Sequence, residues 1–190
     1  ELEFISHPNL AELYLFKSLG PNAWIRIINS IHNVFNEIYN SDKVIEKGDF
    51  KFLYSLKLKD RIREFKNYLF ESKNLKLNNL FYKNTIINGQ IHIKSIKETI
   101  DDLLIELLNY EKSIKQYIGH GDLCFNNILV DDISGSVKLI DPKSFYSINQ
   151  NIWGLMDSNY DLAKLNHSFK YLYDSVVNDM FYINYEDDKI

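Results

Sequence analysis

The sequence predicts an α+β fold that is mainly α. Three observations carry that prediction. Only three prolines and seven glycines interrupt 190 residues, so long helices meet few breakers. Apolar residues recur at three- and four-residue spacing through several long segments. The few extended stretches are short, β-branched and bounded by turn residues.

In chain order, Leu2 to Ser6 is predicted to be extended and residues 9–19 to form a short helix. Gly20-Pro21 reads as a stop followed by Pro in the next helix's first turn. From Asn22 to Asn40, Trp24, Ile27, Ile28, Ile31, Val34, Phe35 and Ile38 fall on one helical face. Phe50 to Phe70 is a third helix with basic residues on its outer face. Glu98 to Ile118 is a fourth, carrying Ile100, Leu104, Leu107, Leu108, Ile114 and Ile118 inward. Tyr160 to about Met180 is a fifth. Residues 85–87 and 90–93 make a hairpin around Asn88-Gly89, a dipeptide suited to tight turns with positive φ. Residues 127–130 and 137–140 make a second, with Asp131 to Ser136 as its polar loop.

Composition excludes several classes. Hydrophobic residues are 45% and charged residues 25%, enough apolar material for a core and unlike a disordered or collagenous chain. The net charge is −4 and no basic stripe is visible, which disfavours a nucleic-acid partner. Apolar runs are too short to insert in a membrane. The single cysteine, Cys124, forms no internal disulfide and excludes a four-cysteine zinc site. A reducing cytoplasmic setting is the expectation. No signal peptide is visible, and an opening Glu1 reads as a chain cut from a longer protein.

The informative stretch runs from Tyr117 through His120-Gly121-Asp122, Asn127 and Asp131, then Val137 to Lys143. If 127–130 pairs with 137–140, Asn127 and Asp141 sit opposite each other at the open end. Directly paired side chains are about 5 Å apart at Cβ. An amide oxygen and a carboxylate that close can share a hard cation such as Mg²⁺. Asp122 lies five residues before Asn127 and can face the same spot, orienting a hydroxyl and accepting its proton late in phosphoryl transfer.

His120-Gly121-Asp122, then Asn127, then Ile140-Asp141-Pro142 resembles the catalytic core of the aminoglycoside phosphotransferase and choline kinase family, the small-molecule branch of the protein-kinase-like fold. The resemblance implies that Asp122 positions the acceptor hydroxyl and that Asn127 and Asp141 hold Mg²⁺ on the phosphates of ATP. It implies that Asp161, in Asp161-Leu162-Ala163, binds the backbone of the catalytic loop and that His120 braces that loop. A short leading strand followed by Asn9-Leu-Ala-Glu-Leu-Tyr-Leu-Phe, with Asn88-Gly89 and Tyr160-Asp161, looks like the capsule-type bacterial sugar or choline kinases. The implied layout is a hinge strand or linker over 1–8 and a helical C-terminal lobe over 9–190. The catalytic loop then spans 119–127 and the metal-binding hairpin 127–141.

Two departures matter. No Gly-rich loop and no strand bearing a phosphate-binding Lys precede the hinge, so the family's N-terminal nucleotide lobe is absent from the sequence. That missing lobe of the same protein is an expected partner, and the chain alone is expected to bind ATP weakly and catalyse poorly. Gly121 stands where protein kinases carry Arg, and Pro142-Lys143 where they carry Phe-Gly, which argues against a protein substrate. The expected activity is ATP-dependent phosphorylation of a hydroxyl on a sugar, amino alcohol or related metabolite, and the capsule-type resemblance tilts the acceptor toward precursors of surface polysaccharide. The alternative is a non-catalytic kinase-like binding or scaffolding module.

Blander readings sit beside these. An isolated Asp122 would be a turn residue, Asn127 a cap and Asp141 a strand end; their joint placement favours function. Lys143 is a phosphate or substrate contact or a plain exposed lysine. Cys124 reads as a small packed residue. His7, His32, His92 and His167 show no metal spacing, and Glu186-Asp187-Asp188 reads as a solvated tail.

Overall fold

A computed structural model of the chain describes residues 5–39, 54–110, 114, 117–143, 145–147 and 152–182. The fold is α+β and mainly helical, with small antiparallel sheets. Its first elements are α1 (Leu10–Phe16), α2 (Pro21–Tyr39), α3 (Ser55–Ser72), α4 (Leu75–Tyr82), β1 (Thr85–Ile87), β2 (Ile91–Ile93) and α5 (Ile96–Tyr110). There follow β3 (Tyr117–Ile118), a 3₁₀ turn (Phe125–Asn127), β4 (Ile128–Val130) and β5 (Val137–Leu139). The chain continues with β6 (Phe145–Ser147), β7 (Ile152–Met156), α6 (Ser158–Phe169) and α7 (Tyr173–Val177). Two compact units result, one from Glu1–Glu46 with Lys115–Phe181, the other from Lys47–Ile114 with Tyr182–Ile190.

The first unit is built around the second hairpin. Asn9 starts α1 with a capping box: its Oδ1 accepts the Glu12 amide at 2.9 Å, and Glu12 accepts the Asn9 amide at 3.3 Å. Two orphan donors are satisfied reciprocally. The helix then buries Leu10, Ala11 and Leu13. These meet Ile27 and Ile31 of α2, Leu123 and Phe125 of the loop, Ile128 and Val130 of β4 and Leu165 of α6. Each such large side chain contributes about 2 kcal/mol relative to exposure. Phe125 is an aromatic hub, edge-on to Tyr14 at 5.5 Å and to Phe169 at 4.5 Å between centroids.

The β4–β5 loop closes tightly. Asp131 Oδ1 accepts the amides of Ile133 and Ser134, and the Ser134 hydroxyl donates to Asp131 Oδ2. The loop lies on α2, and a Cβ at Gly135 would come within 2.7 Å of the Arg26 Cβ. The Pro8 carbonyl accepts from the Val130 amide at 3.0 Å, so the chain leading into α1 runs beside β4.

In the second unit, the β1–β2 hairpin forms with Thr85 opposite Ile93 and Ile87 opposite Ile91. Asn88 and Gly89 both take positive φ, 53° and 68°, which matches the turn their types predict. Phe81 is fully buried and stacks obliquely on Phe65 at 5.6 Å.

Four sequence expectations need correction. The fourth helix ends at Tyr110, so Ile118 is not on it but in β3, and Leu108 is exposed. The fifth is two helices: α6 stops after Phe169, and Leu172 adopts φ 54° before α7. A left-handed leucine is unfavourable and announced by no Gly or Pro. Helix α4 and the three-stranded β3-β7-β6 sheet were not predicted. Ile28 of α2 is 45% exposed, off the buried stripe. Leu2 to Phe4 and Phe50 to Leu53 lie outside the described residues, and Ile5 to Pro8 form no regular element.

Candidate active site

A fully buried carboxylate organises the loop after β3. Asp161 stands in the first turn of α6 with no exposed surface. Its Oδ2 accepts the His120 amide at 2.9 Å, its Oδ1 the Gly121 amide at 2.9 Å, and the Leu123 amide lies 3.4 Å from Oδ1. The Tyr39 hydroxyl of α2 donates to Oδ2 as well. Backbone donors and the helix N-terminus offset the desolvation of the charge. Burial and the Asp161 carboxylate together hold the Tyr39 hydroxyl far above its ordinary range, so it remains a donor.

Gly121 lets the loop fold into that grip. Its φ is +81°, and a Cβ there would sit 2.5 Å from the Lys143 carbonyl oxygen and 2.7 Å from Met156. No other residue fits. His120 is 5% exposed, and its ring spans the loop. Nε2 lies 2.9 Å from the Ile140 carbonyl, and Nδ1 lies 3.3 Å from the Asp122 amide. The first contact requires a proton on Nε2 and the second an acceptor at Nδ1, which assigns the tautomer. The Lys143 amide returns to the His120 carbonyl at 2.8 Å, tying the strand exit after β5 to the loop.

The loop presents Asp122 with a side chain 14% exposed. Lys143 Nζ is 2.9 Å from its Oδ2 and Lys164 Nζ 2.8 Å from its Oδ1. Burial pushes the carboxyl up, but hydrogen bonds from Lys164 and Lys143 outweigh it and hold the group below its usual range. Lys143, bonded to Asp122 and also 3.2 Å from Asp141, is held well above its ordinary value. For Lys164 burial acts downward, yet the bond to Asp122 wins and raises it. Asp122 and Asp141 therefore share one ammonium.

The hairpin register differs from expectation. Ile128 pairs with Leu139, and the Ile140 amide donates to the Asn127 carbonyl at 3.0 Å. Asn127 is opposite Ile140, not Asp141. Asn127 belongs to the 3₁₀ turn, and Asp141 leaves the strand at φ 54°, so strand alternation does not set either side chain's direction. No hydrogen bond joins the two side chains. Asn127 is buried, and its Nδ2 donates to the Asp122 carbonyl at 2.8 Å, which leaves its amide oxygen open. The Asp141 side chain is 59% exposed.

Among the described residues, no group of three or more His, Cys, Asp or Glu could hold a metal ion. The donors on the two candidate ligands are an amide oxygen and a carboxylate. Oxygen donors of these two types suit a hard cation such as Mg²⁺, which takes its remaining ligands from phosphates and water rather than from a protein cage. Cys124 is half-buried, and burial followed by the Asp122 charge pushes its thiol up, away from thiolate chemistry.

Lys164 and Tyr39 are the members that sequence reasoning missed. A signal existed for Lys164: it lies three residues after Asp161, and such residues share a helix face. None existed for Tyr39, which lies 122 residues from Asp161. No helix among the described residues is long and apolar enough to cross a membrane. No known family, curated protein or solved structure compared with the chain matches it.

Proposed function

We propose that the chain is the catalytic lobe of an ATP-dependent phosphotransferase acting on a hydroxyl of a small molecule. The observation that supports it most is the placement of Asp122, ionised and cation-flanked, on a loop whose peptide groups are pinned by Asp161. Phosphoryl transfer asks its protein mainly for positioning and electrostatics. Asp122 would orient the acceptor hydroxyl and take its proton late in the transfer. Each carboxylate oxygen has further acceptor capacity beyond one ammonium. Lys143, exposed on a flexible stem, would exchange its carboxylates for a phosphate oxygen. Asn127 and Asp141 would hold Mg²⁺, which neutralises charge on the nucleotide phosphates.

Acceptors that fit the resemblance are sugars, amino alcohols and related precursors of surface polysaccharide. A complete protein carrying a nucleotide lobe, screened against sugars, choline, ethanolamine and aminoglycosides, should consume ATP with one of these in a Mg²⁺-dependent manner. Asp122→Ala should lower turnover about 10³-fold. Full turnover in both Asp122→Ala and Asp141→Ala would refute the mechanism.

One observation favours a non-catalytic kinase-like module instead. Both oxygens of Asp122 are engaged by lysines. Saturable ATP binding with no phosphoryl transfer to any acceptor in that screen would select this second reading.

A further inference from the structure

The second unit carries a groove of about 400 Å³ between α3 and α5. Its two walls differ in charge. From α3 it receives Lys59, Ile62, Arg63 and Lys66, a single face at three- and four-residue spacing. From α5 it receives Lys97, Ile100 and Leu104, and Phe81 of α4 also lines it. Ile62, Ile100 and Leu104 are half-buried, and Phe81 is fully buried. An apolar floor therefore lies under a cationic rim.

The rim's charge is only partly answered. Lys97 is paired with Asp101 at 2.5 Å, the one acid lining the groove, and Arg63 with Asp60 at 2.9 Å. Lys59 and Lys66 have no carboxylate partner among the described residues. Lys66 Nζ instead sits 5.8 Å from the centre of the Phe81 ring, a cation–π contact that holds it over the floor.

We propose that this groove binds an anionic amphiphile: a small molecule with a phosphate or carboxylate at one end and an apolar body at the other. The anionic head sits among Lys59, Arg63 and Lys66. The body lies along Ile62, Ile100 and Leu104 over Phe81. The groove's volume suits such a ligand, since small-molecule sites run from about 300 to 1,000 Å³ with apolar walls and a few polar anchors. A cationic ligand would meet three like charges on α3. The site stands apart from the phosphotransferase reading and can hold or fail without it.

The test uses the chain itself and four probes: hexyl phosphate, inorganic phosphate, hexanol and hexyltrimethylammonium. Titration calorimetry measures affinity, and backbone amide shifts locate binding. Hexyl phosphate should bind saturably, at least about tenfold tighter than phosphate or hexanol alone. Shifts should concentrate in 59–67 and 97–104. Lys59→Glu combined with Lys66→Glu, both on exposed positions, should weaken binding about tenfold or more with the circular dichroism unchanged. Hexyl phosphate binding no tighter than phosphate overturns the proposal. So does equal binding of hexyltrimethylammonium, or unaltered affinity in the folded double variant.

Discussion

Lys164 Nζ lies 2.8 Å from Asp122 Oδ1, bringing the second turn of α6 onto the loop that carries Asp122. The same helix supplies Asp161, which grips that loop from below. One helix therefore sets both the loop's backbone and the direction of its half-buried Asp122 carboxylate. Lys164 is 27% exposed against 58% for Lys143, so the two ammoniums are not equivalent: one is packed against the loop and the other is shared with Asp141 at the surface.

That asymmetry yields a kinetic prediction. In an active protein carrying this chain, Lys164→Ala should lower kcat about 10- to 100-fold with little change in the KM for ATP. Lys164→Arg should recover part of the loss, because the charge and a donor return. Steady-state kinetics of the three proteins measures it.

Removing the buried carboxylate should be severe. Asp161→Ala strands the amides of His120 and Gly121 and the hydroxyl of Tyr39 in a dry site. Unpaired buried groups cost about 1–3 kcal/mol each. A loss of about 3 kcal/mol or more is expected by chemical denaturation of the chain, and Tyr39→Phe, which removes one donor, should lose far less.

Acid should weaken the fold partly through Asp122. Its carboxyl titrates below the usual range when folded, and about 3.9 when unfolded. A group depressed in the folded state stabilises it fully above the unfolded value. That contribution disappears as pH falls through the lower, folded value. Thermal melts between about pH 2 and 6 should show a shallower acid limb in Asp122→Asn than in the parent.

Gly121→Ala should destabilise the chain by about 2–4 kcal/mol, since it combines a positive-φ strain with a clash against backbone. The neighbouring carbonyl of Lys143 cannot swing aside as a side chain would. Melting temperature reads the effect. An alanine at Gly20, where a Cβ meets nothing within 4 Å, is the control and should change little.

Local signals in the sequence translated well into structure. The Asn88-Gly89 turn, the short helix that follows residue 9, the apolar stripe of α2 and the β4–β5 hairpin each depend on neighbours within a few residues. What escaped depends on distant partners or on unadvertised backbone. The β3-β7-β6 sheet pairs Tyr117 with Met156, a match no local pattern signals. Leu172 breaks a helix in a left-handed conformation without a glycine. The strands and the Asp131 to Ser136 loop form as expected, but that pairing sets Ile140, one residue short of Asp141, opposite Asn127. At the site, the loop residues were readable as a motif, whereas the lysine pair on Asp122 required the packing of α6.

The hold of Asp161 on 120–123 is made through peptide N–H groups alone. Such a grip does not read side-chain type, apart from Gly121, where a Cβ has no room. Substitutions at an exposed position such as Asn126 leave it untouched, so the rim of this loop can change while its scaffold stays put. The outer face of the loop is thereby insulated from its own foundations.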